Sequence, residues 1–195
     1  MKKIILAGAL LLFAGTSFAA QTHAPSPCVS DECFDTSTRI SGQNAPLRGN
    51  ALFRYLGFRL YTVALYTVAP TAWKAELALG EVPKRLIIRY SRLIKKEQII
   101  AAAEKNLKSN PKVSWERISP RVQQLNKYYE NVKKGDEYTL TYIPGKGTSL
   151  ELNGSQKTTI PGEDFARAYF GIWLSESSIN ERLRLQLLGS QQHER

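Results

Sequence analysis

The chain has 195 residues, with 27 Lys and Arg against 17 Asp and Glu, two cysteines, two histidines and a formal charge of +10. That length suits one domain behind an export segment, and no later stretch approaches the roughly 20 apolar residues of a membrane span. So few histidines and cysteines leave too few ligands for a zinc centre. The basic residues are dispersed, without an arginine-rich tail or nucleic-acid motif, so nucleic acid is excluded as a partner.

Lys2 and Lys3 precede the apolar run from Ile4 to Phe13, and Ser17-Phe18-Ala19 offers the small residues of a cleavage site. The pattern predicts a signal peptide over residues 1–19, cut after Ala19, and a periplasmic location. Removing it leaves 176 residues and a net charge of +8. Residues 20–37 are rich in Pro, Ser, Thr and Gln and read as an exposed, flexible lead-in, with order expected from Thr38 on. In an oxidising compartment Cys28 and Cys33 are expected to close a local disulfide.

Leu47 to Tyr55 and Phe58 to Ala69 read as strands, the second apolar on both alternating faces and therefore central, with Pro70 ending it. Leu86 to Tyr90 is a third. Lys95 to Ser109 carries Ile100, Ala103 and Leu107 at helical spacing. Ser119-Pro120 reads as an N-cap and first residue of a second helix bearing Val122, Leu125, Tyr128 or Tyr129, and Val132. Tyr138, Leu140 and Tyr142 alternate with Glu137, Thr139 and Thr141, as in a half-buried strand. A turn at residues 144–147 leads to a hairpin whose Asn153-Gly154 signals a type I′ turn before Lys157 to Ile160. Phe165, Ala168, Tyr169, Ile172 and Trp173 form one helical stripe, and Ser178 with Glu181 reads as the capping box of a last helix ending at Gly189. Residues 190–195 are a tail. Strands in runs and helices in runs predict an α+β fold with an antiparallel sheet faced by helices.

His23 and His193 lie near the two ends, so a Ser-His-Asp or Cys-His arrangement is not expected. Gly145 to Ser149 lacks the spacing of a phosphate loop and reads as a turn. The carboxylate pairs Glu163-Asp164 and Asp136-Glu137 fit a helix start and a turn. Tyr61, Tyr66, Tyr138, Tyr142, Tyr169 and Trp173 sit on core-facing or strand positions, where they fill a core or line a cleft for an amphipathic anionic ligand.

Three segments together resemble the chalcone isomerase fold family, especially its exported bacterial chalcone isomerase-like branch. They are Arg48-Gly49 with Gly57 to Tyr66, Lys133 to Asp136 with Tyr142 to Thr148, and Ile160-Pro161-Gly162 through Phe165 to Ala168, ending in Ile172-Trp173-Leu174. The likeness spans residues 38–189. It implies an open-faced β-sandwich, a large antiparallel sheet covered on one face by a layer of helices. In the plant enzymes of this family a chalcone closes to a flavanone without metal or nucleotide, so no cofactor is expected.

The resemblance sets Arg48 at the catalytic arginine, Tyr61 with Thr62 beside it at a strand threonine, Ile99 at a helix tyrosine, Asn106 at an asparagine and Gly171 near a late threonine. Arg48, Tyr61, Thr62, Ile99, Asn106 and Gly171 are thus the candidate ligand-binding positions. Arg48, Tyr61 and Asn106 are the candidates for catalysis. Hydroxyls are lost at Ile99 and Gly171, and a donor lost beside a developing oxyanion costs about 10²–10³ in rate. The resemblance then implies a non-catalytic binder of a small amphipathic ligand such as a fatty acid, its acidic group on Arg48, and a monomer is expected. A cofactor-free isomerase acting on an enone is the alternative. Peripheral contact of the basic surface with an anionic membrane is a third expectation.

Overall fold

The computed structural model describes residues 26–68 and 75–189; the expected signal peptide with its expected cleavage after Ala19, Pro70 and the expected tail lie outside the described residues. A small hairpin of β1 (Cys28–Val29) and β2 (Glu32–Cys33) opens the chain, closed by the expected Cys28–Cys33 disulfide. There follow β3 (Ser37–Ile40), β4 (Gln43–Tyr55), β5 (Phe58–Thr67) and β6 (Lys84–Tyr90). Helices α1 (Lys96–Ser109) and α2 (Trp115–Asn126) come next. Then come β7 (Glu137–Ile143), β8 (Gly147–Leu152), β9 (Ser155–Ile160), α3 (Glu163–Leu174) and α4 (Glu181–Leu187).

Strands β3 to β9 form one seven-stranded antiparallel sheet whose spatial order is their order in the chain. Tyr61, Val63 and Leu65 of β5 face the helical layer, where they join Leu86, Leu140 and Leu150 beneath Leu125, Phe165 and Leu187. Ala64 and Tyr66 face the other way, into a smaller cluster with Phe34, Ile40 and Leu47. The double-sided apolar pattern of β5 thus has a cover on each face. The architecture is α+β, the expected antiparallel sheet with its helical layer on one face, while the segment around Phe34 covers part of the otherwise open face.

Four sequence expectations need correction. The exposed lead-in is structured from β1 onward: Asp31 pairs with Arg59 at 2.7 Å, Glu32 with Arg89 at 3.0 Å, and Phe34 is buried under the Arg89 guanidinium. Helix α2 begins after Ser114, not at Pro120, which lies inside it. Proline cannot bond back to the Glu116 carbonyl, and the Ser119 hydroxyl donates to that oxygen at 3.4 Å instead. Burial of Ile118 together with Val122 and Leu125 extends the helix backwards past this fault. The last helix is capped by Asn180, whose side chain accepts from the Leu183 amide at 2.9 Å, rather than by Ser178. Strand β7 is buried on both faces, because Thr139 and Thr141 lie on the side bearing the Arg85 side chain, whose Nε donates to the Thr141 hydroxyl at 2.9 Å. The Asn153-Gly154 turn is as expected, with both residues at positive φ.

Candidate functional site

A cavity of about 990 Å³ opens between the helical face of the sheet and helices α1 and α3, within the usual range for small-molecule sites. Its floor is set by strand register. Phe53 pairs with Tyr61, Tyr61 with Tyr90, and Ile88 with Tyr138, so one end of the sheet presents a row of rings to the helices. One wall comes from Ile99, Ala102, Ala103 and Asn106 of α1, and the other from Tyr169, Ile172 and Trp173 of α3 at helical i, i+3, i+4 spacing. The walls differ in how they are held. Nine of the twelve α3 residues are buried, against only Ala103 and Leu107 in α1. The rim is the β4–β5 hairpin tip, Tyr55 to Phe58, with Arg92 and Leu93 from the β6–α1 connection.

The polar atoms of the interior are mostly phenol hydroxyls. Trp173 Nε1 donates to the Tyr61 hydroxyl at 3.1 Å, and since an indole cannot accept, the Tyr61 proton stays available. The Tyr129 and Tyr169 hydroxyls share one bond of 2.7 Å, which uses one of their two protons. Tyr138 accepts from the Glu130 amide at 2.7 Å. Tyr90 makes no hydrogen bond through its hydroxyl among the described residues. Burial pushes the Tyr61, Tyr90, Tyr129 and Tyr169 phenols well above the ordinary tyrosine range, and holds Tyr138 up at about 12. All five are neutral at physiological pH. Cations reach the cavity only at exposed positions, from Arg54, Arg92 and Lys105. No carboxylate, histidine or cysteine among the described residues lines it, and no cluster of these residues could hold a metal ion.

Residues 28–189 match the family described as chalcone isomerase-like. The chain belongs to the chalcone isomerase-like family. A crystal structure of a fatty-acid binding protein from Arabidopsis thaliana has the same fold, with a TM-score of 0.62 at 13% identity, covering 80% of this chain and 91% of that one. No curated protein matches the sequence.

Among the positions carried over from the chalcone isomerase-like resemblance, the structure gathers Tyr61, Ile99 and Asn106 at the cavity. Asn106 Nδ2 donates to the Ser177 carbonyl at 3.0 Å, and its Oδ1 is buried without a described partner. Arg48, Thr62 and Gly171 do not line it. Arg48 is the extra residue of a bulge between β4 and β5, which turns its side chain onto Thr67, with Nε to the threonine hydroxyl at 2.7 Å. Thr67 ends β5 away from Tyr61, roughly 20 Å off at the rise of a strand. Partial burial also draws the Arg48 guanidinium below its ordinary pKa. Thr62, next to Tyr61 on the strand, faces the opposite side, where its hydroxyl is buried without a described partner. A Cβ at Gly171 would meet the Ser175 side chain at 3.6 Å. Of the aromatic residues singled out in the sequence, Tyr66 and Tyr142 also stand elsewhere. The Tyr66 hydroxyl donates to the Asp35 carbonyl on the outer face, and Tyr142 lies beneath the Lys84 ammonium. Tyr90, Tyr129, Arg54 and Arg92 are site residues that sequence reasoning missed. Tyr90 shares the strand period of Leu86 and Ile88, a signal that could have placed it.

Proposed function

We propose that this chalcone isomerase-like protein is an exported, non-catalytic binder of a single-chain amphipathic acid such as a fatty acid. The observation that carries this reading is the division of polarity in the cavity: an apolar and phenolic interior, with cations only at exposed positions. Burying an ionised carboxylate without a cation is costly, so the acid belongs at the mouth, on Arg54 and Arg92, with the chain inside. Each buried CH₂ then contributes about 0.8 kcal/mol. The fatty-acid binding protein of the same fold supports this ligand class, and the Cys28–Cys33 disulfide supports export to an oxidising compartment such as the periplasm. Arg48, held on Thr67 at the far end of β5, is not assigned the acid.

The test is extraction of the purified mature protein and mass spectrometry of what it carries. A single-chain acid is expected. Delipidated protein should take up a fatty acid more tightly than the matching alcohol, and Arg54→Gln with Arg92→Gln should erase that preference. An extract without lipid, together with no uptake by the delipidated protein, overturns the reading.

One observation favours a second reading, a cofactor-free isomerase: the available hydroxyl protons of Tyr61 and Tyr90 could polarise the carbonyl of an enone. Ile99 offers no hydroxyl, and among the described residues no carboxylate or histidine lines the cavity as a base. Turnover of chalcones or simpler enones that disappears in Tyr90→Phe would replace the first reading with this one.

A further inference from the structure

The mouth of the cavity is also the most apolar exposed part of the described surface. Tyr55, Leu56, Phe58 and Leu93 are 60%, 80%, 61% and 66% exposed, and the remaining large exposed apolar side chain among the described residues is Tyr128. The first three form the tip of the β4–β5 hairpin. Leu93 adjoins them, since Arg92 lies over the Phe58 ring at 4.9 Å. Leu56 and Gly57 occupy a turn with both φ values positive, +48° and +81°. The β8–β9 hairpin puts Asn153 at the equivalent position, where a short polar side chain tolerates the left-handed backbone. A leucine there is disfavoured, and at 80% exposure it gains no packing in return. Arg54 and Arg92 are exposed at this tip, Lys95 and Lys96 are exposed just after Leu93 in the chain, and none of the four makes an ion pair among the described residues. Arg59 is paired with Asp31, and Glu97 is the acid that adjoins them on α1.

We propose that this tip docks on a bilayer containing anionic phospholipid, with Leu56, Phe58 and Leu93 entering the headgroup region. Apolar side chains projecting from a collar of cations are the chemistry of an interfacial anchor. A second copy is a poorer occupant, because it would set these cations against their own kind. Docked in this way, the mouth of the cavity faces the lipid, so a single-chain acid can pass between membrane and interior without crossing water. The docking is a property of the rim and does not depend on what the interior holds.

Co-sedimentation of the mature protein with vesicles of phosphatidylglycerol and phosphatidylcholine tests it, beside vesicles of phosphatidylcholine alone. Binding to the anionic vesicles that weakens with salt is expected. The double variant Leu56→Asn, Leu93→Ser should lose at least about tenfold in vesicle affinity. It should still fold by thermal melting, since asparagine suits the turn as it does at position 153. Arg54→Gln and Arg92→Gln should each cost about fivefold on the anionic vesicles. Ile99→Trp, which pushes an indole from the α1 wall into the cavity, should weaken ligand uptake but keep vesicle binding, so a failure of docking and a failure of ligand binding are told apart. The proposal is overturned if wild type ignores anionic vesicles, if the tip variants bind as wild type does, or if Ile99→Trp loses vesicle binding. A dimer in sedimentation velocity that the tip variants abolish would give the surface to a second copy and overturn it too.

Discussion

Lys84, at the start of β6, is almost fully buried at 1% exposure, yet the cavity does not use it. Its ammonium donates to the Ala78 and Gly80 carbonyls at 2.9 and 2.7 Å and lies over the Tyr142 and Phe170 rings. Burial draws its pKa down to about 8, with Arg167 adding to the fall and Glu163 opposing it. Between that value and its ordinary 10.5 the unfolded chain binds more protons than the folded one, so stability rises with pH across this window. The rise should be on the order of 3 kcal/mol, and chemical denaturation at several pH values measures it. Lys84→Met should flatten it. Above pH 10 the buried phenols act in the opposite sense, because the unfolded chain releases their protons first, and stability should fall again. At the acid end, Arg121 hydrogen-bonded to Asp164 holds that carboxyl down at about 2, so this pair's contribution fades as pH falls from about 4 through 2. Residue identity was legible in the sequence where chemistry alone decided it, as with the missing hydroxyl at Ile99. It was not legible where a backbone irregularity decided it. Arg48 stands beside Gly49 as the resemblance requires, but one extra residue in the strand sends its guanidinium to Thr67.

Elements were easier to read than their junctions. The β-formers of β7 and the turn residues Asn153-Gly154 stated strand and turn locally, while the alternation of β7 did not show that its threonine face is covered too. Helix α2 shows the limit, since a proline that reads as a first residue is carried inside a helix when burial on both sides of it suffices. One contact between elements has no local signal at all. Gly49 lies against the backbone of α4, and a Cβ there would overlap the Gln186 carbonyl oxygen and press on that of Leu187. Gly49→Ala should therefore push α4 off β4 and cost about 1–3 kcal/mol, read as a lower melting temperature. An alanine at Gly57, where no atom lies within 4 Å, meets only the strain of its positive φ and should cost less.

At the scale of the molecule, a cavity of about 990 Å³ is room that the core leaves unfilled, and the sequence could not show whether its tyrosines close or line that room. Ligand bound only by the folded chain stabilises it by about 2.7 kcal/mol at a hundred times the dissociation constant. For a domain of this size that corresponds to a rise of about 5–10 °C in melting temperature. Scanning calorimetry with and without a saturating fatty acid should show it, and the matching alcohol should give less. The alternating face of each strand told which residues meet the helices, whereas the depth of the space between them depends on how α1 and α3 sit, and no single segment records that.

The unequal anchoring of the two walls has a consequence for how anything enters. Helix α1 lies in the chain between β6 and β7 and rests on Ala103 and Leu107 with the partly buried Ile99 and Ile100, while α3 is embedded almost all round. Swinging α1 outward would leave every rung between neighbouring strands intact. Its amides should accordingly exchange with deuterium at least about tenfold faster than those of α3, and slow once a chain fills the space beneath them. The sheet and α3 then act as a fixed bed, and α1 as the hinged side of the container.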